Sequence, residues 1–264
     1  MGQNYHAKSA WYRARMTFRA TEHPYFAGST PRVFAHRGLH LDVPENTASS
    51  FRAAISAGAT FIETDVVGSK DGLAIISHDT TLNRVSTQTG LVSERTAAEL
   101  ADIDLGGEGF LTLAQALEQF PTARFNIDVK ESTAIDGVVR AVIDADAIER
   151  VLITSFSAQR RRATIARLPG VASSPSATEF LGLAAAARLG ITPPLPLVHA
   201  LQIPERANGV TFVTEKLVEQ YHRLGLEVHV WTINDEESMR RLLGIGVDGI
   251  VTDRADIALR VVDS

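Results

Sequence analysis

Short apolar runs recur along the chain at residues 33–35, 61–67, 125–129, 151–156, 210–213, 228–233 and 249–252. Near-continuous apolar runs of this length, set apart by longer amphipathic stretches, mark parallel strands buried on both faces, because crossover helices cover both sides of such a sheet. The stretches between them read as helices. Residues 46–57 stop at Gly58, 113–119 at Pro121, 214–224 at Gly225 and 235–243 at Gly244, and these stops follow from chemistry: glycine accepts the left-handed turn after a helix and proline cannot continue one. A weaker apolar run at 171–174 brings the candidate parallel strands to eight, the number that closes a (β/α)8 TIM barrel; residues 197–203 compete for one of those places.

Two departures from strict alternation are expected. Lys70-Asp71-Gly72 is a tight-turn signal, and 73–77 returns as an apolar strand, so 62–78 reads as a hairpin. With Asp71-Gly72 as a two-residue turn, counting outward sets Asp65 opposite His78. Residues 79–111 carry one short helical pattern, around 97–100, and read as a small insertion after that hairpin. Residues 1–31 read as an N-terminal arm and 32–264 as the barrel. Within 181–203, Pro193, Pro194 and Pro196 exclude a continuous helix; a packed loop is expected there in preference to a membrane contact.

The chain has 264 residues, 45% hydrophobic and 22% charged, a globular composition at a length that suits one barrel of about 250 residues. Its formal net charge of −5 leaves no electrostatic footprint for nucleic acid or an anionic membrane. No cysteine is present, so any bound metal must be held by oxygen or imidazole. The first thirty residues carry Lys8, Arg13, Arg15 and Arg19 without a signal-peptide core, and no later stretch approaches an uncharged membrane span. A cytoplasmic protein without an integral membrane segment is the expectation.

Charged and titratable residues gather at the ends of the apolar runs: His36 and Arg37 after the first, Glu63 and Asp65 in the second, Asp128 and Lys130 on the third. The C-terminal strand ends of a barrel form its active-site mouth, so these distant groups are expected to converge. The two-residue spacing of Glu63 with Asp65, and of Asp128 with Lys130, puts both side chains of each pair on one strand face. Such charges aimed into a barrel mouth need partners or a cation, and oxygen ligands point to Mg2+ or Ca2+ rather than zinc. The hairpin carries His78 back to the same site.

Taken in order, His36-Arg37-Gly38, Pro44-Glu45-Asn46-Thr47, Glu63-Thr64-Asp65, His78-Asp79, Asp128-Val129-Lys130, Trp231-Thr232-Ile233-Asn234 and the run from Asp248 to Asp253 resemble the successive motifs of the glycerophosphodiester phosphodiesterase family. The resemblance spans roughly 32 to 257. It implies a phosphodiesterase barrel that hydrolyses small-molecule glycerophosphodiesters to glycerol 3-phosphate and an alcohol, with one divalent cation. Carried over by position, it makes Glu63, Asp65 and Asp128 metal ligands, His36 and His78 the acid/base pair, and Arg37 and Lys130 phosphate contacts. The family usually has glutamate where this chain has Asp128, one methylene shorter, which implies a metal nearer that strand or a bridging water.

Other readings stand beside these. Glu63 and Asp65 could instead form an ion pair with Arg37 or Lys130. Glu45 is expected to orient Arg37 or cap the following helix, in preference to binding metal, and Asn46 and Thr47 to act as caps. Trp231 could lay its face on the glycerol or serve the core, and Gln202 is a weaker candidate. His6, His23, His40, His199, His222 and His229 are set aside as surface or structural, and Arg160-Arg161-Arg162 as a solvated helix face. A lysophospholipase D using the apolar 181–203 stretch or Trp11, Tyr12 and Phe18 is a second activity, and a catalytically silent phosphodiester-binding barrel a third. The sequence leaves open the headgroup, Mg2+ against Ca2+, which histidine is base and which acid, water or a substrate hydroxyl as nucleophile, and the oligomeric state.

Overall fold

The computed structural model describes residues 22–189, 191 and 198–264; Trp11, Tyr12, Phe18 and His6, and Pro193, Pro194 and Pro196, lie outside them. Its strands, in chain order, are Arg32–His36 (β1), Phe61–Gly68 (β2), Ala74–Ile76 (β3), Arg124–Val129 (β4), Val151–Thr154 (β5), Ala172–Ser173 (β6), Ala200–Pro204 (β7), Arg206–Ala207 (β8), Val210–Thr211 (β9), Glu227–Trp231 (β10) and Gly249–Thr252 (β11). Eight of them run parallel in the order β6-β5-β4-β2-β1-β11-β10-β7, with β3 paired antiparallel to β2. The seam between β6 and β7 is drawn together by His199, whose amide donates to Ser173 O at 2.8 Å while its ring Nδ1 accepts from Ser173 N at 3.2 Å. A nearly closed (β/α)8 barrel results.

The alternation of side chains decides what faces where. On β1 and β2 the outward residues Val33, Ala35, Ile62 and Val66 pack under the helices, while Phe34 and Phe61 turn inward with Leu152, Ala200 and Val251. Space at the barrel axis is tight: a Cβ on Gly249 would stand 2.9 Å from both the His229 and Phe34 rings. Below this layer, buried Arg32 donates to both carboxylate oxygens of Glu227, at 2.8 and 2.9 Å, and Tyr25 and Phe26 close the bottom. Polar residues remain for the opposite, C-terminal rim.

Helix starts follow the expected cap chemistry. Thr47, Thr112, Thr214 and Asp235 each accept a backbone N–H with the side chain, starting Ala48–Ser56, Leu113–Gln119, Glu215–Arg223 and Glu236–Gly244, since a side-chain oxygen can satisfy an orphaned first-turn amide. Asn46 is not a cap. It takes positive φ and is buried, accepting from Thr64 Oγ1 at 2.7 Å and donating to Asp65 Oδ2 at 3.4 Å.

Four other expectations are corrected. The place sought by 210–213 belongs to Ala200–Pro204, the competing segment; Val210–Thr211 pairs only with Arg206–Ala207 in a hairpin off the barrel. The β2–β3 register is one residue from that expected, because the turn has three residues, not two: Ser69 N bonds Leu73 O, and Gly72 takes φ +76 between them. An odd loop shifts the pairing by one, so Asp65 stands opposite Ser77, whose amide donates to Asp65 O at 3.0 Å. Residues 177–188 form a helix capped by Ser176 ahead of the prolines. Arg161 is buried, not solvated, with its guanidinium on Ser174 O and on Glu179, and Arg160 reaches Val129 O.

The segment 79–111 contains the short helix Ala97–Ala101 and packs Leu82, Val92, Leu100, Ile103, Leu105 and Phe110 against Val67 and Ile75 of the hairpin. It thereby holds β3, and the turn out of β3, against the rim.

Candidate active site

At the C-terminal rim a cavity of about 630 Å³ opens into the barrel. Strand periodicity supplies its floor. His36 ends β1, Glu63 and Asp65 project from β2, and Asn126 and Asp128 from β4. The parallel register sets Glu63 beside Asn126 and Asp65 beside Asp128. His36, Arg37, Glu63, Asp65, His78, Asp128, Lys130 and Trp231, all drawn from separate points of the sequence, line this one cavity. Glu45 stands just behind it.

Lys130 ties the acidic floor together. Its ammonium donates to Asp128 Oδ2 at 2.7 Å and lies 2.7 Å from Asp65 Oδ1. Burial opposes the charge on Lys130, but the two carboxylates outweigh it and raise its pKa. Arg37, held at φ +58 where the chain leaves β1, places its Nε 3.4 Å from Asp65 Oδ2 and donates from Nη1 to Glu45 Oε1 at 3.0 Å. Glu45 thus orients Arg37, one of the roles expected for it, and Asp65 takes the ion-pair partners that the sequence left as an alternative.

The carboxylates that remain are under strain of charge. Burial pushes the Glu63 carboxyl up to about 8, with Asp65 and Asp128 adding to the rise and His36 and Lys130 opposing it. Burial raises Asp128 too, against the pull of Lys130. Three buried oxygens, Glu63 Oε2, Asn126 Oδ1 and Asp128 Oδ1, have no hydrogen-bond partner, which ordinarily signals a ligand or ion. Among the described residues no three His, Asp or Glu side chains converge on a metal-holding point as they stand, Lys130 standing between two of them. The donor chemistry nonetheless fits a hard divalent cation, which takes oxygen from carboxylates and carboxamides.

Each imidazole is braced by a carboxylate. His36 Nδ1 lies 2.6 Å from Asp253 Oδ1, leaving Nε2 toward the cavity, 3.8 Å from Glu63 Oε2. Burial would lower the His36 pKa, but the Asp253 bond and the Glu63 charge raise it above its ordinary value. Asp253 is itself gripped by Asn234 Nδ2 at 2.7 Å and by His40 Nε2 at 3.4 Å, and its pKa lies well below the usual carboxylate range: burial would raise it, and these partners reverse that. On the other side His78 Nδ1 lies 2.6 Å from Asp79 Oδ1, and Asp79 also accepts from Arg84, which reaches Glu45 at 2.6 Å.

Sequence reasoning missed several of these groups. Asn126 was findable, since it precedes Asp128 by two and so shares its strand face. Asp253 lay inside a motif without an assigned role, and His40 was set aside with the structural histidines. Arg84 carried no signal, coming from the 79–111 segment. Trp231 stands at the cavity wall with its ring edge-to-face on Phe156 at 6.1 Å, and Gln202 also lines the cavity, with its Nε2 unpartnered.

The sequence model of the glycerophosphoryl diester phosphodiesterase family matches residues 36–257. The chain is 36% identical over 232 residues to a probable glycerophosphodiester phosphodiesterase 2 of Mycobacterium tuberculosis, covering 85% of this chain and 88% of that protein. It is 28% identical over 245 residues to a glycerophosphodiester phosphodiesterase of Caldanaerobacter subterraneus, covering 87% and 97%. Among solved structures, an Oleispira antarctica phosphodiesterase in complex with the product sn-glycerol-3-phosphate superposes with a TM-score of 0.71 at 25% identity, over 89% of this chain and 98% of that one.

Proposed function

Since this chain belongs to the glycerophosphoryl diester phosphodiesterase family and is a phosphoric diester hydrolase, we propose that it cleaves glycerophosphodiesters to glycerol 3-phosphate and an alcohol, with His36 and His78 exchanging the protons. The observation that carries this reading is the pair of imidazoles lining one cavity, each fixed at Nδ1 by a carboxylate. A carboxylate on Nδ1 sets the tautomer and leaves Nε2 for proton transfer. The sn-glycerol-3-phosphate bound to the Oleispira antarctica phosphodiesterase supports a small glycerol phosphate ligand.

In this reading the phosphoryl group lies between the two histidines, with Arg37 and Lys130 facing its non-bridging oxygens. Guanidinium and ammonium groups preorganised by Glu45, Asp65 and Asp128 stabilise the charge that gathers on those oxygens. One imidazole takes the proton of the attacking water and the other delivers a proton to the leaving alkoxide. If the neighbouring glycerol hydroxyl attacks instead, the product of this step is a cyclic phosphate, which water opens to glycerol 3-phosphate with the two imidazoles exchanging roles. Asp253 and Asp79 hold the rings as the protons move. Trp231 offers an apolar face to the glycerol carbons.

Glu63, Asp65 and Asp128 would hold one divalent cation, Mg2+ or Ca2+, with Asn126 Oδ1 beside them. When bound, the cation supplies charge neutralisation at the phosphoryl oxygens. A cation held there would share Asp65 and Asp128 with Lys130, whose ammonium already stands on both carboxylates.

The test is release of glycerol 3-phosphate from glycerophosphocholine and glycerophosphoethanol by the purified protein with Mg2+ or Ca2+, in chelator, and in the His36→Ala/His78→Ala double variant. The expected result is turnover that chelation and the double substitution each abolish. Parental turnover in the double variant overturns the proton-transfer roles, and full turnover in excess chelator overturns the cation.

A further inference from the structure

The cavity is two-faced, and the division follows the barrel order. Every ionisable side chain lining it comes from β1, β2 and β4 or from the turns leaving β1, β3 and β4, one side of the barrel. The opposite side is an apolar wall of Phe180, Leu181, Val210, Phe212 and Trp231. One donor interrupts it. Gln202 lines the cavity from β7, and its Nε2 is buried without a hydrogen-bond partner. Hydroxyls on the same side are engaged within the fold: Thr154 Oγ1 lies 3.2 Å from Ser174 Oγ, Ser155 Oγ donates to Val129 O at 2.7 Å, and Ser176 Oγ donates to Glu179 Oε2 at 2.8 Å.

A second unpartnered group lies on the neighbouring strand. In the parallel pairing of β7 with β10, Gln202 stands opposite His229, and strand alternation turns both inward, one level beneath Pro204 and Trp231. His229 is fully buried, with its Nε2 3.1 Å from Glu227 Oε2. Burial would raise the Glu227 pKa, but Arg32 and His229 hold it well below its ordinary value, so the carboxylate is ionised and the imidazole proton sits on Nε2. Arg32 already meets the charge of Glu227, at 2.8 and 2.9 Å. The ring needs no charge of its own, and Nδ1 of a neutral ring is an acceptor. That Nδ1 has no partner either. The Cδ2 edge of the ring faces β11, where a Cβ on Gly249 would stand 2.9 Å from it, which turns the Nδ1 edge the other way, toward β7. A buried donor without an acceptor and a buried acceptor without a donor each carry the cost of lost hydration, and at a functional site such a pair signals an absent ligand.

We propose that Gln202 and His229 form a hydroxyl-binding niche in the cavity floor, in which a substrate hydroxyl accepts from Gln202 Nε2 and donates to His229 Nδ1. A hydroxyl meets both needs because it offers an acceptor and a donor at one atom. Gln202 opens the niche to the cavity, and His229 closes it from the neighbouring strand. On the phosphodiesterase reading, on which this inference rests, the occupant is the terminal, sn-1 hydroxyl of the glycerol. The sn-2 hydroxyl, on the carbon next to the phosphoester, stays beside the charged side with the phosphoryl group. The terminal hydroxyl is one carbon farther and reaches the floor when the glycerol carbons lie on Trp231. Gln202 and His229 then determine specificity, since an analogue lacking that hydroxyl leaves both groups unpaired.

Calorimetry on the full chain with Mg2+ present compares sn-glycerol 3-phosphate with 2-hydroxypropyl phosphate, which lacks only the terminal hydroxyl. The parent is expected to bind the first at least about tenfold tighter, the loss usual when buried polar groups are left unpaired. Gln202→Met, close in shape and without the donor, is expected to bring the two affinities within about twofold, chiefly by weakening glycerol 3-phosphate; Gln202→Leu gives the same reading should the first variant fail to fold. Nitrogen NMR of the parent reads His229 without a substitution: its Nδ1 signal is expected to move on addition of glycerol 3-phosphate and to stay in place with 2-hydroxypropyl phosphate. Equal affinity, or none, for the two phosphates in the parent overturns the niche, as does a preference that survives in the Gln202 variants or an unmoved Nδ1. Turnover of glycerophosphoethanol is measured beside these. Turnover with equal affinities overturns the niche and leaves the proposed activity standing, whereas a preference for the terminal hydroxyl without turnover supports the niche and overturns the activity.

Discussion

His36 Nδ1 and Asp253 Oδ1 are 2.6 Å apart although 217 positions separate them in the chain. β1 and β11 are neighbours in the barrel, in register from Arg32↔Gly249 to Ala35↔Thr252, so the residue following each of those runs meets its counterpart at the rim. Asp253 raises the His36 pKa. Replacing it with asparagine is expected to lower that pKa, move the limb of the pH profile governed by His36 to lower pH, and reduce kcat about tenfold to a hundredfold with KM nearly kept. NMR titration of His36 in the variant checks the shift; an unmoved pKa removes Asp253 from the site.

Single replacements of His36 and His78 by alanine are each expected to lower kcat by at least about a hundredfold, within the range usual for a lost general acid or base. Glycerophosphodiesters with a nitrophenol leaving group need no proton from the enzyme. They are expected to restore turnover in only one of the two variants, which identifies the acid. Rescue of both or of neither means that the histidines do not divide the proton work.

Glu63 provides a pH signature of the metal-free protein. Its folded pKa, about 8, lies above the ordinary carboxylate value of 4.5, so the folded chain holds a proton there that the unfolded chain has lost. That stability is fully present below about pH 4.5 and is lost as pH rises through 8. In chelator the melting temperature is expected to fall over that window, and less so in Glu63→Gln, by about 2–4 °C for each kcal/mol relieved in a chain of this size. Mg2+ or Ca2+ should raise the melting temperature more at pH 8 than at pH 5, and equal gains at both would count against the carboxylate site.

Asp128→Ala is expected to weaken divalent-cation binding by at least about tenfold, while Asp128→Glu keeps it, the longer carboxylate having the reach that the family ordinarily uses. Calorimetry with Mg2+ and Ca2+ reads both. Unchanged affinity in Asp128→Ala would place the third ligand elsewhere.

Arg84 is half exposed and joins Glu45 to Asp79, behind Arg37 and His78 respectively. An exposed pair contributes little to stability, at most about 1 kcal/mol, so Arg84→Ala should leave the melting temperature nearly unchanged while lowering kcat/KM about tenfold. Arg84→Lys should recover only part of this, because one ammonium cannot span both carboxylates with the planar fork of a guanidinium. A melting temperature that falls in proportion to the activity would mean that the residue serves folding alone.

How much of this was legible in the chain depended on range. Repeating apolar runs, helix stops and threonine or aspartate caps are local, each decided within a few residues, and they sufficed for the barrel and for the ends of β1, β2 and β4. The period of two placed Glu63 with Asp65 on one face and would have placed Asn126 with Asp128. What the sequence could not decide were relations between segments. The sixth barrel strand went to Ala200–Pro204 because pairing with β10 is a contest between two apolar segments, settled by how the chain closes. The hairpin register turned on Ser69 bonding Leu73 around a three-residue turn, one residue more than the Asp-Gly signal suggests. Arg84 on Glu45, His40 near Asp253, Lys130 between two carboxylates and the apolar wall opposite them are contacts between residues on different elements. No local pattern encodes such contacts, because they exist only once the eight strands have brought their ends to a common rim.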